Sequence, residues 1–288
     1  MAVYKRSYHG YSGPLTPEWS RFAIIPRYAY RDLFQSKIMT AFFVLCFVAP
    51  IVFLALIYFA NNFASLARLL RANDVTSPVS VNGLFFLVFL NIQGALGFIL
   101  TAFVGPSLIS SDLSNRALPL YLCRPFSRAE YVIGKMSVLL ILLSLITWVP
   151  GLILFIVQAS LSGGGWLFKN LWIGWGLFLG SWIWILIISL LALALSAWIK
   201  WRIAAGALLL AVFFVAAGFG EVINGVLDVR WGKLINLMYV LSRIWGQLFR
   251  VNESPEISTS SAWMMLALVC AGCLALLYKK IRAFEVVR

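Results

Sequence analysis

Histidine is almost missing from this sequence. The one copy, His9, stands in the N-terminal segment. Haem ligation by paired histidines, an H-E-x-x-H zinc site and a Ser-His-Asp triad all lack residues in the right place, so no catalytic residues and no metal ligands are expected. Charge is scarce as well: 11% of residues are charged, against about 25% in soluble domains. Acids number only ten. Cysteines number four (Cys46, Cys123, Cys270, Cys273), and three lie in apolar runs, so no disulfide framework is expected. Cys270 and Cys273 form C-x-x-C inside a lipid-length run, where two small helix residues are the expectation rather than a redox pair. No nucleotide-binding loop is present. Gly134-Lys135 ends like one, but Ala129 replaces its first glycine and Met136 its Ser or Thr. No apolar signal with a small-residue cleavage site opens the chain either.

What is abundant is apolar surface. Of the 288 residues, 62% are hydrophobic, and the mean hydropathy is +0.93. A soluble protein of this size could not hide so much, so the excess needs lipid. The expected class is an all-α integral membrane protein. A span needs about 20 mostly apolar residues, and six stretches qualify: Ile38–Ala60, Gly83–Ile109, Tyr131–Gln158, Trp166–Ile199, Ile203–Gly220 and Ala262–Tyr278. Their central parts hold no ionisable side chain; Lys135 and Lys169 lie near the ends of the third and fourth and belong with the flanking loops. Ionisable groups inside the membrane mark proton relays and ion paths. Their absence argues against ion-coupled transport. Asn91 and Gln93 are the main polar residues within a span, either lining a pathway or hydrogen-bonding between helices. Gly176 and Gly180 form G-x-x-x-G on the fourth span, a weak sign of close helix packing.

The basic residues orient this layout. Sixteen of the 23 Lys and Arg residues fall on the side holding both termini, the loop after span two and the loop after span four. The positive-inside rule puts that side, and both termini, in the cytoplasm. The formal net charge of +13 has its explanation there, and nucleic acid is not an expected partner. Three units result: a cytoplasmic segment 1–37, a membrane domain 38–278, and a basic tail 279–288.

Two amphipathic stretches flank the spans. Thr16, Pro17 and Glu18 can start a helix on which Trp19, Phe22 and Phe34 recur at helical spacing beside Arg27 and Arg31, with a break possible at Pro26. It should lie on the inner leaflet. Near the C-terminus Leu234, Leu237, Met238, Leu241, Trp245 and Leu248 trace one face of a helix in Trp231–Arg250, which is expected as a re-entrant or surface helix on the outer side.

The loop after span two is the densest in polar information. Ser111 or Asp112 can cap a short helix through about Tyr121, which Pro125 would end, and Ser127 with Glu130 forms a capping box opening span three. Arg116, Arg124 and Arg128 would be on its surface. Physics alone leaves an ordinary basic loop and a docking element about equal. Asp112, Pro125, Ser127, Arg128, Glu130, Gly134 and Lys135, in that order, resemble the loop of ABC-2-type permeases of ABC transporters. Tyr28–Lys37 (YAYRDLFQSK) is similar to that family's lead-in to its first span. The chain departs at Ser114–Leu118, where the family often has Gly-Thr-Leu.

The resemblance implies a permease subunit that dimerises with a second copy or a similar chain in a prokaryotic cell membrane. Two copies of a separate ABC ATPase would dock on 110–130 as a coupling helix. ATP and Mg2+ would sit on that partner, and this chain would hold no cofactor and do no catalysis itself. The N-terminal helix would be the family's interface helix, and 221–261 its outer helical segment. Export is the implied direction. The alternatives are an autonomous channel or secondary transporter not driven by ATP, and a membrane-embedded enzyme or assembly factor.

Overall fold

The computed structural model describes residues 24–69, 79–115, 128–199, 201–229, 231–251 and 257–280. Among them the chain is almost wholly α-helical, with no strand. Ten helices are described in these segments: α1 (Ile24–Gln35), α2 (Lys37–Leu45), α3 (Val48–Leu69), α4 (Gly83–Ser114), α5 (Arg128–Ile146), α6 (Trp148–Ser162), α7 (Gly164–Trp198), α8 (Arg202–Leu227), α9 (Leu237–Leu248) and α10 (Thr259–Lys280). A 3-10 turn, Trp231–Leu234, precedes α9. Six stretches are long and apolar enough to span a bilayer: 37–63, 83–114, 129–162, 165–198, 202–227 and 259–280. The protein is thus an all-α multi-pass membrane protein, and each expected span has its counterpart.

Prolines shape two of the spans. Pro50 has no N–H for the carbonyl of Cys46, four residues earlier, and its ring crowds that carbonyl. The first span accordingly breaks between α2 and α3. The freed Cys46 carbonyl accepts instead from Gln93 Nε2 of α4, at 3.1 Å in a buried site. The third span breaks the same way at Thr147, ahead of Pro150, and Thr147 Oγ1 turns back to Leu143 O at 2.7 Å. Pro106 stays inside a continuous α4. Its fourth-preceding carbonyl, that of Ala102, lies against α8: a Cβ on Gly206 would sit 2.8 Å from it.

The 35-residue α7 is about 52 Å long at 1.5 Å per residue, so it tilts or projects beyond a 30 Å core. It is the central post. Of its most apolar stretch 72% is buried, against 22% for the first and sixth spans. It packs most extensively on α4.

The α9 segment sinks into the bundle. Twelve residues cover about 18 Å, too short to cross. Leu237, Val240, Leu241, Ile244 and Trp245 are buried among the spans. Of the expected apolar face, Met238 is exposed, while Leu237, Leu241 and Trp245 are covered. The two glycines of the G-x-x-x-G pair make room: a Cβ on Gly180 would meet Trp245 Cδ1 at 3.2 Å, and one on Gly176 would meet Leu248 O at 3.3 Å. Trp245 Nε1 donates to Gly180 O at 3.0 Å. The amphipathic helix expected from the sequence is thus present and packed between the spans. Its start also moves, because α8 continues past Gly220 to Leu227.

The ends of the spans are tied pairwise. At one end a closed ring of hydrogen bonds joins Asn61, Gln158 and Ser162, and Arg250 covers the Trp172 ring. At the other end lie α1, the end of α4, the start of α5, the junction of α7 with α8, and Lys280 over the Trp198 ring at 5.0 Å.

Candidate functional site

The second of these ends collects the polar groups of the loop motif. The chain does not cap a new helix at Ser111 or Asp112, as expected from sequence; α4 runs straight through both to Ser114, with Asn115 as its C-cap. Two serines make this possible. Ser110 Oγ donates to Pro106 O and Ser111 Oγ to Ser107 O, so hydroxyls that could have capped a fresh helix fold back on their own. Asp112 then points sideways to α5.

α5 begins at Arg128 and carries Glu130 in its first turn. Tyr131 and Lys135, four residues apart, share one face. Lys135 Nζ lies 2.8 Å from Asp112 Oδ2, and Tyr131 Oη donates to the same oxygen at 2.7 Å. The Lys135 ammonium also lies 5.7 Å from the centre of the Tyr131 ring. The pair is nearly removed from solvent, the side chains being 9% and 13% exposed. In such a site charges need a partner and further hydrogen bonds. The Tyr131 hydroxyl supplies one. This cluster closes the base of the 116–127 loop, because Asp112 precedes it and Tyr131 and Lys135 follow it.

α1 is latched beside the cluster. Tyr30 Oη donates to Val138 O on α5 at 2.8 Å. Burial pushes the Tyr30 phenol above its ordinary range. Pro26 is buried in the first described turn of α1 rather than breaking it. Arg27 and Arg31 face outward, and Phe34 packs edge-on against Phe43 at 5.4 Å. Between α1, α4, α5 and the start of α8 is a cavity of about 630 Å3, lined among others by Asp32, Ser107, Asp112, Lys135 and Arg202.

Ser111, Asp112 and Lys135 are therefore brought together. Arg116, Tyr121, Arg124, Pro125 and Ser127 lie outside the described residues, as do Trp19 and Phe22 and the side chain of Arg128. Asn91 and Gln93 part company. Gln93 is buried against Cys46. Asn91 donates to Leu87 O on its own helix and lines a separate cavity of about 360 Å3 with Trp184, Asn236, Ser242 and Trp245. Sequence reading placed Tyr30 on the apolar face of the N-terminal amphipathic helix, without a partner, and had not singled out Tyr131 or Arg202. For Tyr131 the signal was there: a tyrosine four residues before a lysine on one helical face. Among the described residues no three His, Cys, Asp or Glu side chains gather to hold a metal ion. No protein-family model matches the chain, and no curated protein is similar to it.

Proposed function

We propose that this chain is the membrane-spanning permease subunit of an ATP-driven ABC transporter, working as an exporter through the loop between α4 and α5. The observation that supports this reading is the Asp112–Lys135–Tyr131 cluster, which ties both ends of the 116–127 loop to the two spans that carry it. A soluble ATPase pushing on that loop would move α4 and α5 as one body. Through Tyr30 and Val138 the same push would reach α1. In this scheme the loop faces the cytoplasm of a prokaryotic cell, a second copy completes the pathway, and two copies of the ATPase carry ATP and Mg2+. This chain contributes the path and the lever, and no chemistry.

The test asks whether an ABC ATPase is encoded beside this chain and reconstitutes with it. Wild-type chain should co-purify with that ATPase and stimulate its turnover. Reversing Arg124 and Arg128 together to Glu should abolish stimulation while leaving the permease folded. Unchanged stimulation would overturn the placement of the docking surface. Flux from the purified chain alone in liposomes without ATP would overturn the transporter class in favour of an autonomous channel or carrier.

A further inference from the structure

The cavity beside α1 has a composition that lever action does not use. Its volume of about 630 Å3 lies within the range of small-ligand sites. Asp32 stands on its α1 wall, and Arg202 on its α8 wall. Both are exposed, and among the described residues neither makes an ion pair. The remaining charges in the lining, Asp112 and Lys135, neutralise each other. Among the described residues the lining therefore offers one carboxylate and one guanidinium and sums to zero, in a chain of net charge +13. A patch built for anionic lipid would instead show uncompensated Lys and Arg.

The cavity also reaches the lipid-facing flank. Phe103 lines it and is 56% exposed on the outside of α4; Ile24 and Tyr28 line it from α1 and are 51% and 65% exposed. Trp201, next to Arg202, is 80% exposed. Aromatic side chains around a basic residue at the end of a span are the pattern of the headgroup layer.

We propose that this cavity binds the headgroup of an aminophospholipid of the phosphatidylethanolamine class, with its phosphate on Arg202, its ammonium on Asp32 and an acyl chain along Phe103. The guanidinium presents a fork of N–H donors suited to phosphate oxygens. The carboxylate accepts N–H bonds that a primary ammonium can give and a quaternary choline cannot. Ser36 and Ser107, which also line the cavity, supply hydroxyls. Phosphatidylglycerol would satisfy Arg202 but offer Asp32 only neutral glycerol hydroxyls in place of a cation. Bound there, the lipid fills the gap between α1 and the spans. The site requires no ATPase, so it stands or falls separately from the transporter reading.

The experiment uses the full chain in nanodiscs containing phosphatidylethanolamine, phosphatidylcholine and phosphatidylglycerol, with retained lipid read by native mass spectrometry after detergent release. Phosphatidylethanolamine should be retained about tenfold over either competitor. Arg202→Gln and Asp32→Asn should each cut that retention by about fivefold or more, with the melting midpoint kept. Equal or greater retention of phosphatidylglycerol, or no response to either substitution, would overturn the proposal. So would glycerophosphoethanolamine protecting the chain as well as the lipid does, since the ligand would then be a soluble zwitterion. Should the variants not fold, the wild-type chain decides. A photoactivatable phosphatidylethanolamine with its label in the acyl chain should cross-link the Phe103 peptide and be displaced by unlabelled phosphatidylethanolamine alone. Cross-links only elsewhere would overturn it.

Discussion

Asp112 and Lys135 meet at 2.8 Å across the root of the 116–127 loop, one at the end of α4 and the other in the second turn of α5. Removing one partner of a buried pair costs about 3–5 kcal/mol, because the other is left charged and unpaired. Lys135→Met should therefore destabilise the chain by about that much. Asp112→Leu combined with Lys135→Met should cost less than the single change, and exchanging the two residues should recover most of the loss. Unfolding in mixed detergent micelles measures all three. Equal losses for the single and double variants would show that the two residues are not coupled.

A second relationship joins Pro50 and Gln93, which never touch each other's chemistry directly. Pro50 leaves the Cys46 carbonyl without its helical donor, and the buried Gln93 amide fills the vacancy. Gln93→Leu should cost about 0.6–1.7 kcal/mol, the range for such bonds between membrane helices. Restoring the backbone donor with Pro50→Ala should make the Gln93→Leu change nearly neutral. A double-mutant cycle of the two tests this. Additive effects would mean that the Gln93 amide does not serve the kinked carbonyl.

Much of the architecture was legible in the chain because six lipid-length runs leave few alternatives. What was not legible depended on tertiary partners. Span two was expected to stop at Ile109, with Ser111 or Asp112 capping a short helix beyond it. The chain stays helical because the hydroxyls of Ser110 and Ser111 bond back to Pro106 O and Ser107 O and the Asp112 carboxylate finds Lys135, a residue 23 positions away. The apolar face of α9 was visible from its spacing, but its depth was not. That depth is set by Gly176 and Gly180 of α7, which no pattern within α9 reveals. The candidate site was half legible: Asp112 and Lys135 carried the motif, whereas the contributions of Tyr30 and Arg202 exist only once α1 and α8 are packed.

The glycine groove makes its own prediction. A methyl at Gly180 would sit 3.1 Å from Leu90 Cδ2 and 3.2 Å from Trp245 Cδ1, tighter than ordinary contact. Gly180→Leu should force α9 outward and break the Trp245 bond to the Gly180 carbonyl, at a cost of about 1–3 kcal/mol. Ile244 is fully buried, so a cysteine placed there should resist a membrane-impermeant maleimide in the parent and react in the Gly180→Leu background. Equal protection in both backgrounds would show that α9 is held by something other than this groove.

Tyr30 ties α1 to α5, and its bond carries a pH signature. Burial raises the phenol above its ordinary value, which is near 10. A group raised in the docked state favours docking fully below its undocked pKa and loses that contribution as pH rises through the docked one. Docking of α1 should therefore be constant through the neutral range and weaken only above about pH 10. Tyr30→Phe keeps the ring but removes the donor to Val138 O. It should cost about 0.5–1.5 kcal/mol at neutral pH and abolish the alkaline dependence. A spin label replacing the exposed Arg27, in a cysteine-free background, reports the mobility of α1. Tyrosinate absorbance compared between parent and Tyr30→Phe reports the phenol itself. The parent should show one more late-ionising phenol than Tyr30→Phe, and α1 should loosen as that phenol ionises. If parent and Tyr30→Phe ionise alike in the alkaline range while α1 stays immobile, the latch is not the hydroxyl, and the apolar contacts of Ile25 and Leu33 with the bundle hold α1 by themselves.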